Sequence, residues 1–408
     1  MKRVLSILLA VLLVFALLTA CGGGDTNNDA NTGDNTNTGD ANTGNDANTG
    51  DDANTGDNGS TATPTGDAFD SFPRPAVKAD GKLKFAYIHN IPTAESQSRS
   101  IAQAKVEARE RGWEMVDIEY QDDSQINDLI ANAANQGVDA ILLGNCQNME
   151  AKVNAIAAVR EKGIGVYNND NMIVDGVISN VTMPNGGSAM DLIYTIGEDV
   201  NWTSKIAIIS TDSIQVWVER HEPAEGIINA YPGLELLDFQ DVMQGSGSNA
   251  ENAYNIGAAW CTKYGTEMNG IFGGCDFVAL QCNQAALSAA TVNPDLWMSG
   301  IDGGNEAWYT IREAKNGNGY FKFSYAQPFE LYTHMCFEIM DQIQVKGMNP
   351  GDEGCIISRP GGVFYAEGSV TTVDNVPASG QNINAAYSYY DANAQDAWYN
   401  WEGTMTIE

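Results

Sequence analysis

The sequence predicts an α/β protein built from two doubly wound parallel-sheet lobes joined by a hinge. Residues 138–143 (VDAILL) form a short, nearly continuous apolar run, which is the pattern of a strand buried on both faces of a parallel sheet. Amphipathic helical patterns at 125–136 and 149–161 flank this run. The same alternation occurs a second time along the chain, so we expect two α/β halves that enclose a cleft.

The first half alternates regularly between strand and helix patterns. The predicted strands cover 82–89, 113–120, 138–143, 164–167 and 176–181, and the predicted helices cover 94–111, 125–136 and 149–161. In open α/β sheets the ligand binds beyond the carboxyl ends of the strands. Asn145, which follows the strand at 138–143 and Gly144, is therefore the first candidate for a binding residue.

The second half repeats this pattern. The predicted strands cover 205–210, 234–239, 270–272, 296–301 and 320–325, and the predicted helices cover 186–200, 218–231, 249–264, 279–291 and 308–315. Polar residues again follow the strands, including Asp302 and Gln327. We expect these loops to line the second wall of the cleft.

The N-terminus has the pattern of a secretory signal peptide. Lys2 and Arg3 precede an apolar run at 4–18, which is shorter than the ~20 residues that a membrane-spanning helix needs. Residues 18–21 (LTAC) resemble the bacterial lipoprotein cleavage motif, whose cysteine is lipidated and becomes the new N-terminus. We predict a signal peptide with a lipobox over 1–21, lipidation of Cys21, and a position on the outer face of the cell membrane.

Residues 22–67 repeat the strings NTGD and DANTG and contain no Lys, Arg or aromatic residue. Such a segment cannot bury enough apolar surface to fold, so we predict a disordered acidic tether with a reach of roughly 35–40 Å. The formal net charge of −32 argues against nucleic acid and against an anionic membrane surface as partners. Contact with the membrane is expected through the lipid anchor only.

Six cysteines follow Cys21, and none forms a Cys-x-x-Cys pair. With three histidines in the chain, a zinc site is not predicted. Disulfides and free buried thiols both remain open. The sequence also contains no Gly-x-Ser-x-Gly, no phosphate loop and no histidine constellation, so we expect neither an enzyme nor a bound cofactor.

The order of elements and several local strings resemble the periplasmic sugar-binding proteins of the ribose and galactose type, which are the extracytoplasmic receptors of ABC importers. The resemblance covers about residues 83–344. It implies the type I periplasmic-binding-protein fold, a monomer, a membrane permease as partner, and a monosaccharide or related polyhydroxylated ligand. The strings that match in order are GVDAILLGN, KGIGVYNNDN, NAYPGLELL, GGCDFVAL, MSGIDGG and FSYAQPFEL.

The resemblance also implies roles for individual residues. Asn145 matches the asparagine after the third strand, and Asp170 matches an aspartate that in the family accepts two sugar hydroxyls. Asp302 matches the second-lobe aspartate, and Gln327 matches the glutamine at the hinge crossing. Carboxylates and amides suit this task because they form paired hydrogen bonds with adjacent hydroxyls.

Other positions depart from the family pattern. Asn171 stands where an arginine is usual, and Cys275 with Asp276 stands where an asparagine-aspartate pair is usual. The first loop, which includes Asn90, lacks the phenylalanines that often sandwich the sugar. All four residues stay among the predicted ligand-binding residues.

The arginine that the family places before a second-lobe helix is not clearly aligned. Either Arg220 or His221 matches it, because the local alignment slips by one residue. Trp217, in the same loop, is predicted to supply an aromatic face for the sugar.

The predicted first lobe comprises 82–183 and 328–349, and the second lobe comprises 184–326. Residues 350–408 are predicted to form a return strand and an aromatic C-terminal extension. The predicted function is that of a lipid-anchored receptor for an ABC importer. A sensory or chemotaxis receptor of the same fold is the alternative, since both present a closed ligand-bound form to a membrane partner.

Overall fold

The computed structural model describes residues 69, 71–90 and 95–408. The predicted signal peptide, the lipidation of Cys21 and the predicted tether over 22–67 lie outside the described residues. Within those ranges, no helix combines the length and the apolar character needed to cross a membrane. All six described cysteines are free, and every one except Cys355 is buried.

The described chain contains two six-stranded sheets. The first has the order β11-β5-β4-β3-β1-β2 and the second the order β12-β10-β9-β8-β6-β7. Each is a doubly wound parallel sheet extended by one strand from the C-terminal region, which confirms the predicted fold class. The strands are β1 (Lys84–Asn90), β2 (Glu114–Tyr120), β3 (Ala140–Gly144), β4 (Gly165–Asn169), β5 (Ser179–Thr182), β6 (Ser204–Ser210), β7 (Leu234–Asp241), β8 (Gly270–Gly273), β9 (Trp297–Asp302), β10 (Phe321–Ala326), β11 (Gly362–Tyr365) and β12 (Ser369–Thr372).

Nine described α-helices accompany these strands. Two of them begin three residues before their predicted starts at 218 and 308. The helices are α1 (Glu95–Arg111), α2 (Ile126–Asn135), α3 (Val153–Arg160), α4 (Asn185–Asp199), α5 (Gln215–Ala230), α6 (Asn249–Tyr264), α7 (Asp276–Ser288), α8 (Asn305–Lys315) and α9 (Phe329–Gln344).

The central strands are apolar because helices cover both faces of each sheet. All five residues of β3 are buried between β1 and β4, as expected for the run at 138–143. By contrast, β2 lies at a sheet edge and is partly exposed along its length. The sheet pairs are parallel throughout, except that β12 runs antiparallel to β10.

The chain crosses between the sheets at three places. It leaves the first sheet after β5, returns after β10, and crosses again between β11 and β12. Helix α4 packs on α5 and β10, while α9 packs on α1, β4 and β5. We call the first sheet with its helices the first lobe, and the second sheet with its helices the second lobe.

The C-terminal extension (residues 373–408) contacts both lobes. Ile383, Tyr387 and Ile407 pack with Trp308 of α8 in one apolar cluster. On the first lobe, the ring of Trp398 stacks on His334 of α9 at a centroid distance of 4.4 Å. The extension therefore bridges the two lobes.

Candidate functional site

The cleft between the lobes contains two adjoining cavities. The inner cavity has a volume of about 310 Å³ and the outer cavity one of about 680 Å³. The strand order reverses beside β1 in one sheet and beside β6 in the other, and such switch points mark the ligand crevice of doubly wound folds. The predicted residues that line the inner cavity are Asn90, Asn145, Asp170, Trp217, Arg220, Cys275, Asp302 and Gln327.

Asp302, the last residue of β9, is the central acceptor on the second lobe. Its Oδ1 accepts a hydrogen bond from Gln327 Nε2 at 2.6 Å and lies 3.4 Å from Arg220 Nη1. Burial raises the pKa of Asp302 to about 6, and the neighbouring Arg220 and Gln327 oppose this rise. A third of the Asp302 side chain is still exposed, so a ligand can reach the carboxylate.

Arg220, rather than His221, faces the cavity. The Arg220 guanidinium is buried, and it donates from Nε to Asn185 Oδ1 at 2.9 Å and from Nη1 to the Gly274 carbonyl at 3.0 Å. The His221 ring lies away from both cavities, with Nδ1 2.9 Å from Ser210 Oγ. A buried guanidinium held on two sides is a rigid donor for hydroxyl oxygens.

Asp170 and Asn145 present the first lobe to the same cavity. Both have left-handed backbones, with φ of 57° and 53°, which Asp and Asn tolerate better than most residues. These turns direct the chain away from the ends of β4 and β3. Thr182 Oγ1 donates to Asp170 Oδ1 at 2.8 Å, and burial raises the pKa of Asp170 while this bond and Arg220 lower it.

Apolar and amide groups complete the inner cavity. Asn90 Oδ1 is buried and has no hydrogen-bond partner among the described residues, so it is available to a ligand donor. Trp217 lines the wall contributed by α5. Phe277, which remains 45 % exposed at the start of α7, lines it as well. Phe277 was not predicted, although an aromatic residue just after a strand end is a usable signal.

Two predicted residues, Asp276 and Asn171, do not line the inner cavity, and Cys275 lines it without a charge or an amide. Asp276 lines neither cavity, because its carboxylate accepts the Gly303 N–H at 2.7 Å and the Ser324 hydroxyl at 2.8 Å. Cys275 lines the inner cavity as a buried thiol, and burial raises its pKa well above the ordinary value. Asn171 lines the outer cavity, while its amide donates to the Leu143 carbonyl at 2.7 Å.

A second set of contacts lies beside Gln327, where the chain crosses between the sheets. Arg99 of α1 forms a buried ion pair with Glu330 of α9, with bonds of 2.8 and 2.6 Å. Arg99 Nη2 also donates to the Tyr387 hydroxyl at 2.6 Å, and that hydroxyl lies 2.6 Å from the Gln327 carbonyl. The C-terminal extension thus contacts the backbone of a residue that lines the cavity.

Glu95 makes a direct contact across the cleft. Its carboxylate accepts the Asn305 N–H at 2.8 and 2.9 Å, at the start of α8. A carboxylate is favourable there because the helix dipole is positive at this end. A side chain at Gly304 would displace this carboxylate, since a Cβ built there lies 2.7 Å from an oxygen of Glu95.

The donor set suits an organic polar ligand. In the part of the chain that the structure describes, no group of three or more His, Cys, Asp or Glu side chains has the arrangement of a metal site. Two carboxylates, one guanidinium and several amides surround a cavity that also contains aromatic rings. Such a site can pair with the hydroxyls of a small molecule and cover its apolar face.

Residues 92–347 match the family described as "Periplasmic binding protein domain". The chain belongs to this family. A search of the curated proteins found no match. The family match covers most of both lobes and every predicted ligand-binding residue except Asn90, so most of the inner cavity of this periplasmic binding protein lies within the matched residues.

Solved structures with the same fold include ABC transporter solute-binding proteins. One from Bacillus halodurans with bound myo-inositol is 18% identical with a TM-score of 0.59, covering 73% of this chain and 98% of that chain. One from Actinobacillus succinogenes with bound D-allose is 17% identical with a TM-score of 0.58, covering 72% and 99%. A periplasmic ribose ABC transporter protein from Conexibacter woesei is 16% identical with a TM-score of 0.61, covering 74% and 94%.

Proposed function

We propose that this periplasmic binding protein is an extracytoplasmic receptor of an ABC importer that binds a monosaccharide or related polyhydroxylated molecule between its lobes. The observation that carries the proposal is the opposition of Asp170 and Asp302, which come from different lobes and line one cavity. Arg220 and Asn145 add donors and acceptors at the same place. A ligand that satisfies both walls stabilises the closed arrangement of the lobes.

The chemistry of the inner cavity supports a polyol. Adjacent hydroxyls can donate to a carboxylate and accept from Arg220, and a ligand lacking them would leave these partly buried groups unpaired. Two of the solved relatives have myo-inositol and D-allose bound, which are ligands of this type. The proposal is binding without catalysis, in keeping with the family and the solved relatives, which are binding proteins.

In this proposal the two predicted lobes rotate relative to each other about the three chain crossings. The first lobe comprises 82–183 and 328–349, and the second comprises 184–326. The segment 350–408 contacts both lobes and limits how far they separate. The closed form would then be what the membrane permease recognises. The protein is expected to act as a monomer, since one chain supplies both walls of the cleft.

A thermal-shift screen of pentoses, hexoses and cyclic polyols tests the proposal. A ligand present at about 100 times its Kd adds about 2.7 kcal/mol to the free energy of unfolding. We expect at least one member of the panel to raise the Tm. If none does so at millimolar concentration, the sugar-receptor function is wrong.

Ligand affinity is expected to fall below about pH 6. Burial raises the pKa of Asp302 to about 6, so the free protein binds a proton there as the pH falls. A ligand hydroxyl that donates to Asp302 favours the ionised carboxylate. The proton bound to Asp302 in the free protein must therefore leave when the ligand binds. Below the pKa this lowers the affinity up to tenfold per pH unit, or about 1.4 kcal/mol. Calorimetry at about pH 5 and about pH 7.5 measures the effect. Equal affinities at both values would contradict it, and Asp302→Asn should remove the dependence.

We propose that Cys21 is lipidated and that residues 22–67 hold the two lobes away from the membrane. The support is the apolar run at 4–18 followed by LTAC, together with the absence of basic and aromatic residues from 22–67. Cells that express the protein and are fed an alkyne fatty acid should label it. Cys21→Ser should abolish the label, and a labelled Cys21→Ser protein would refute the anchor.

A further inference from the structure

The outer cavity adjoins the inner one. Five residues, contributed by both lobes, line both cavities. The outer cavity is also the larger, with about 680 Å³ against about 310 Å³. The shared residues are Asn145, Gln147, Asp170, Ile214 and Val216.

The combined space exceeds the needs of one sugar ring. Small-molecule pockets span roughly 300–1,000 Å³, and ligands of drug size fill the upper part of that range. The inner cavity alone lies at the lower end. A ligand confined to it would leave the outer cavity to water, whereas a ligand of two linked rings would occupy both.

The outer cavity exposes apolar side chains beside polar ones. Tyr365 is 58 % exposed, Met172 53 % and Val363 38 %, and all three line it. Tyr365 and Val363 lie on β11, the strand that the C-terminal region adds to the first sheet. Exposed Asn148 and Gln215 supply amide groups at the same cavity.

This mixture matches a sugar ring, which has an apolar face of C–H groups and a rim of hydroxyls. An aromatic ring such as that of Tyr365 covers the apolar face, and amides pair with the rim. Clustered exposed apolar side chains that border a polar cavity are typical of a binding surface.

The charge of the outer cavity limits its ligand. Asp170, Glu219 and Glu222 are among its lining residues, and none of those residues is Lys, Arg or His. A carboxylate, phosphate or sulfate on the ligand would meet these groups without a compensating cation. A neutral or amino-substituted ring has no such penalty.

We infer that the ligand is a disaccharide, with one ring in the inner cavity and a second ring that carries no acidic group in the outer cavity. This inference rests on the proposed function and names the ligand class of the same site. Tyr365 of the first lobe and Glu222 of the second then act as specificity residues for the outer ring.

Two variants separate the cavities. Tyr365→Ala removes the exposed ring, and Gly187→Phe fills the outer cavity from the first turn of α4. A Cβ at Gly187 meets only Pro184, at 3.6 Å, so the backbone accepts a side chain. The matched controls are Tyr309→Ala, at a tyrosine that is 59 % exposed and lines neither cavity, and Gly226→Phe, where no described atom beyond the adjacent helix backbone lies within 4 Å of the added Cβ.

Calorimetry on the full chain compares glucose, galactose, xylose and arabinose with cellobiose, lactose, melibiose, maltose and xylobiose, and with cellobiouronic acid. We expect one neutral disaccharide to bind at least tenfold more tightly than its constituent monosaccharides. Tyr365→Ala and Gly187→Phe should each weaken that disaccharide at least tenfold and leave monosaccharide affinity within twofold. The controls should change neither, and the acidic disaccharide should bind at least tenfold more weakly than cellobiose.

Two outcomes would overturn the inference and leave the proposed function standing. One is a monosaccharide that binds as tightly as every disaccharide tested. The other is a disaccharide whose affinity is unchanged by Gly187→Phe. Failure of every sugar to bind would instead refute the proposed function itself.

Discussion

Replacing Glu330 by Gln is expected to lower the free energy of unfolding by about 3–5 kcal/mol. Arg99 is fully buried and Glu330 is 1 % exposed, and the two side chains share two short hydrogen bonds. The substitution leaves the guanidinium buried without its paired carboxylate. Urea denaturation followed by tryptophan fluorescence measures the change, with the slope of the transition checked for two-state behaviour.

The matched control is Glu267→Gln. Glu267 pairs with Lys205 on the surface, and its side chain is 58 % exposed. Pairs of this kind contribute at most about 1 kcal/mol. The double variant Arg99→Met with Glu330→Leu should recover much of the loss, because it removes both charges together. A Glu330→Gln protein as stable as the Glu267→Gln control would refute the importance of this pair.

Asp302→Ala is expected to weaken ligand binding by at least about 100-fold. A hydrogen bond to a charged group contributes about 1.5–3 kcal/mol, and a ligand with two adjacent hydroxyls would lose two. Each 1.4 kcal/mol is about a tenfold change in affinity. Arg220 also loses its carboxylate partner, so its orientation in the cavity is weakened. Titration calorimetry with the sugar that gives the largest thermal shift measures the loss.

Asp170→Ala should have a similar effect from the first lobe. The matched control is Asp212→Asn, since the Asp212 side chain is 71 % exposed and lines neither cavity. Circular dichroism must show that each variant is folded. If both Asp170→Ala and Asp302→Ala retain the original affinity, the ligand does not bind at the inner cavity.

Much of the fold follows from local patterns. The apolar run at 138–143 predicts a buried central strand, and β3 is buried along its whole length. The candidate residues Asn145, Asp170, Asp302 and Gln327 all lie just at or beyond strand ends. Parallel strands bring such ends to one edge of a sheet, which is the basis for choosing Asn145, whereas the roles of Asp170, Asp302 and Gln327 come from the resemblance to the sugar-binding family.

Other features depend on contacts between distant parts of the chain. The Arg99–Glu330 pair joins residues 231 positions apart, and no local pattern marks either as a partner. The short strands β11 and β12 lie among glycine-containing loops, and their pairing with β5 and β10 depends on the assembled sheets. The outer cavity forms only when β11 lies beside β5, so the sequence gives no separate signal for it.

A position after a strand end does not by itself place a side chain in the cleft, as Asp276 shows. It follows a strand end, as do the residues that line the inner cavity, but it is the first residue of α7. Its carboxylate accepts hydrogen bonds from the Gly303 N–H, in the loop after Asp302, and from the Ser324 hydroxyl. A strand-end carboxylate can therefore hold the loop that carries Asp302 instead of facing the cleft.

A crystal structure of the protein with the sugar that gives the largest thermal shift would show whether the ligand binds between the lobes. We expect the sugar between the lobes, with hydroxyls within hydrogen-bond distance of Asp302 and Arg220 on one side and of Asp170 or Asn145 on the other. A sugar bound outside the cleft, or held by one lobe without contact to the other, would contradict the proposed binding site.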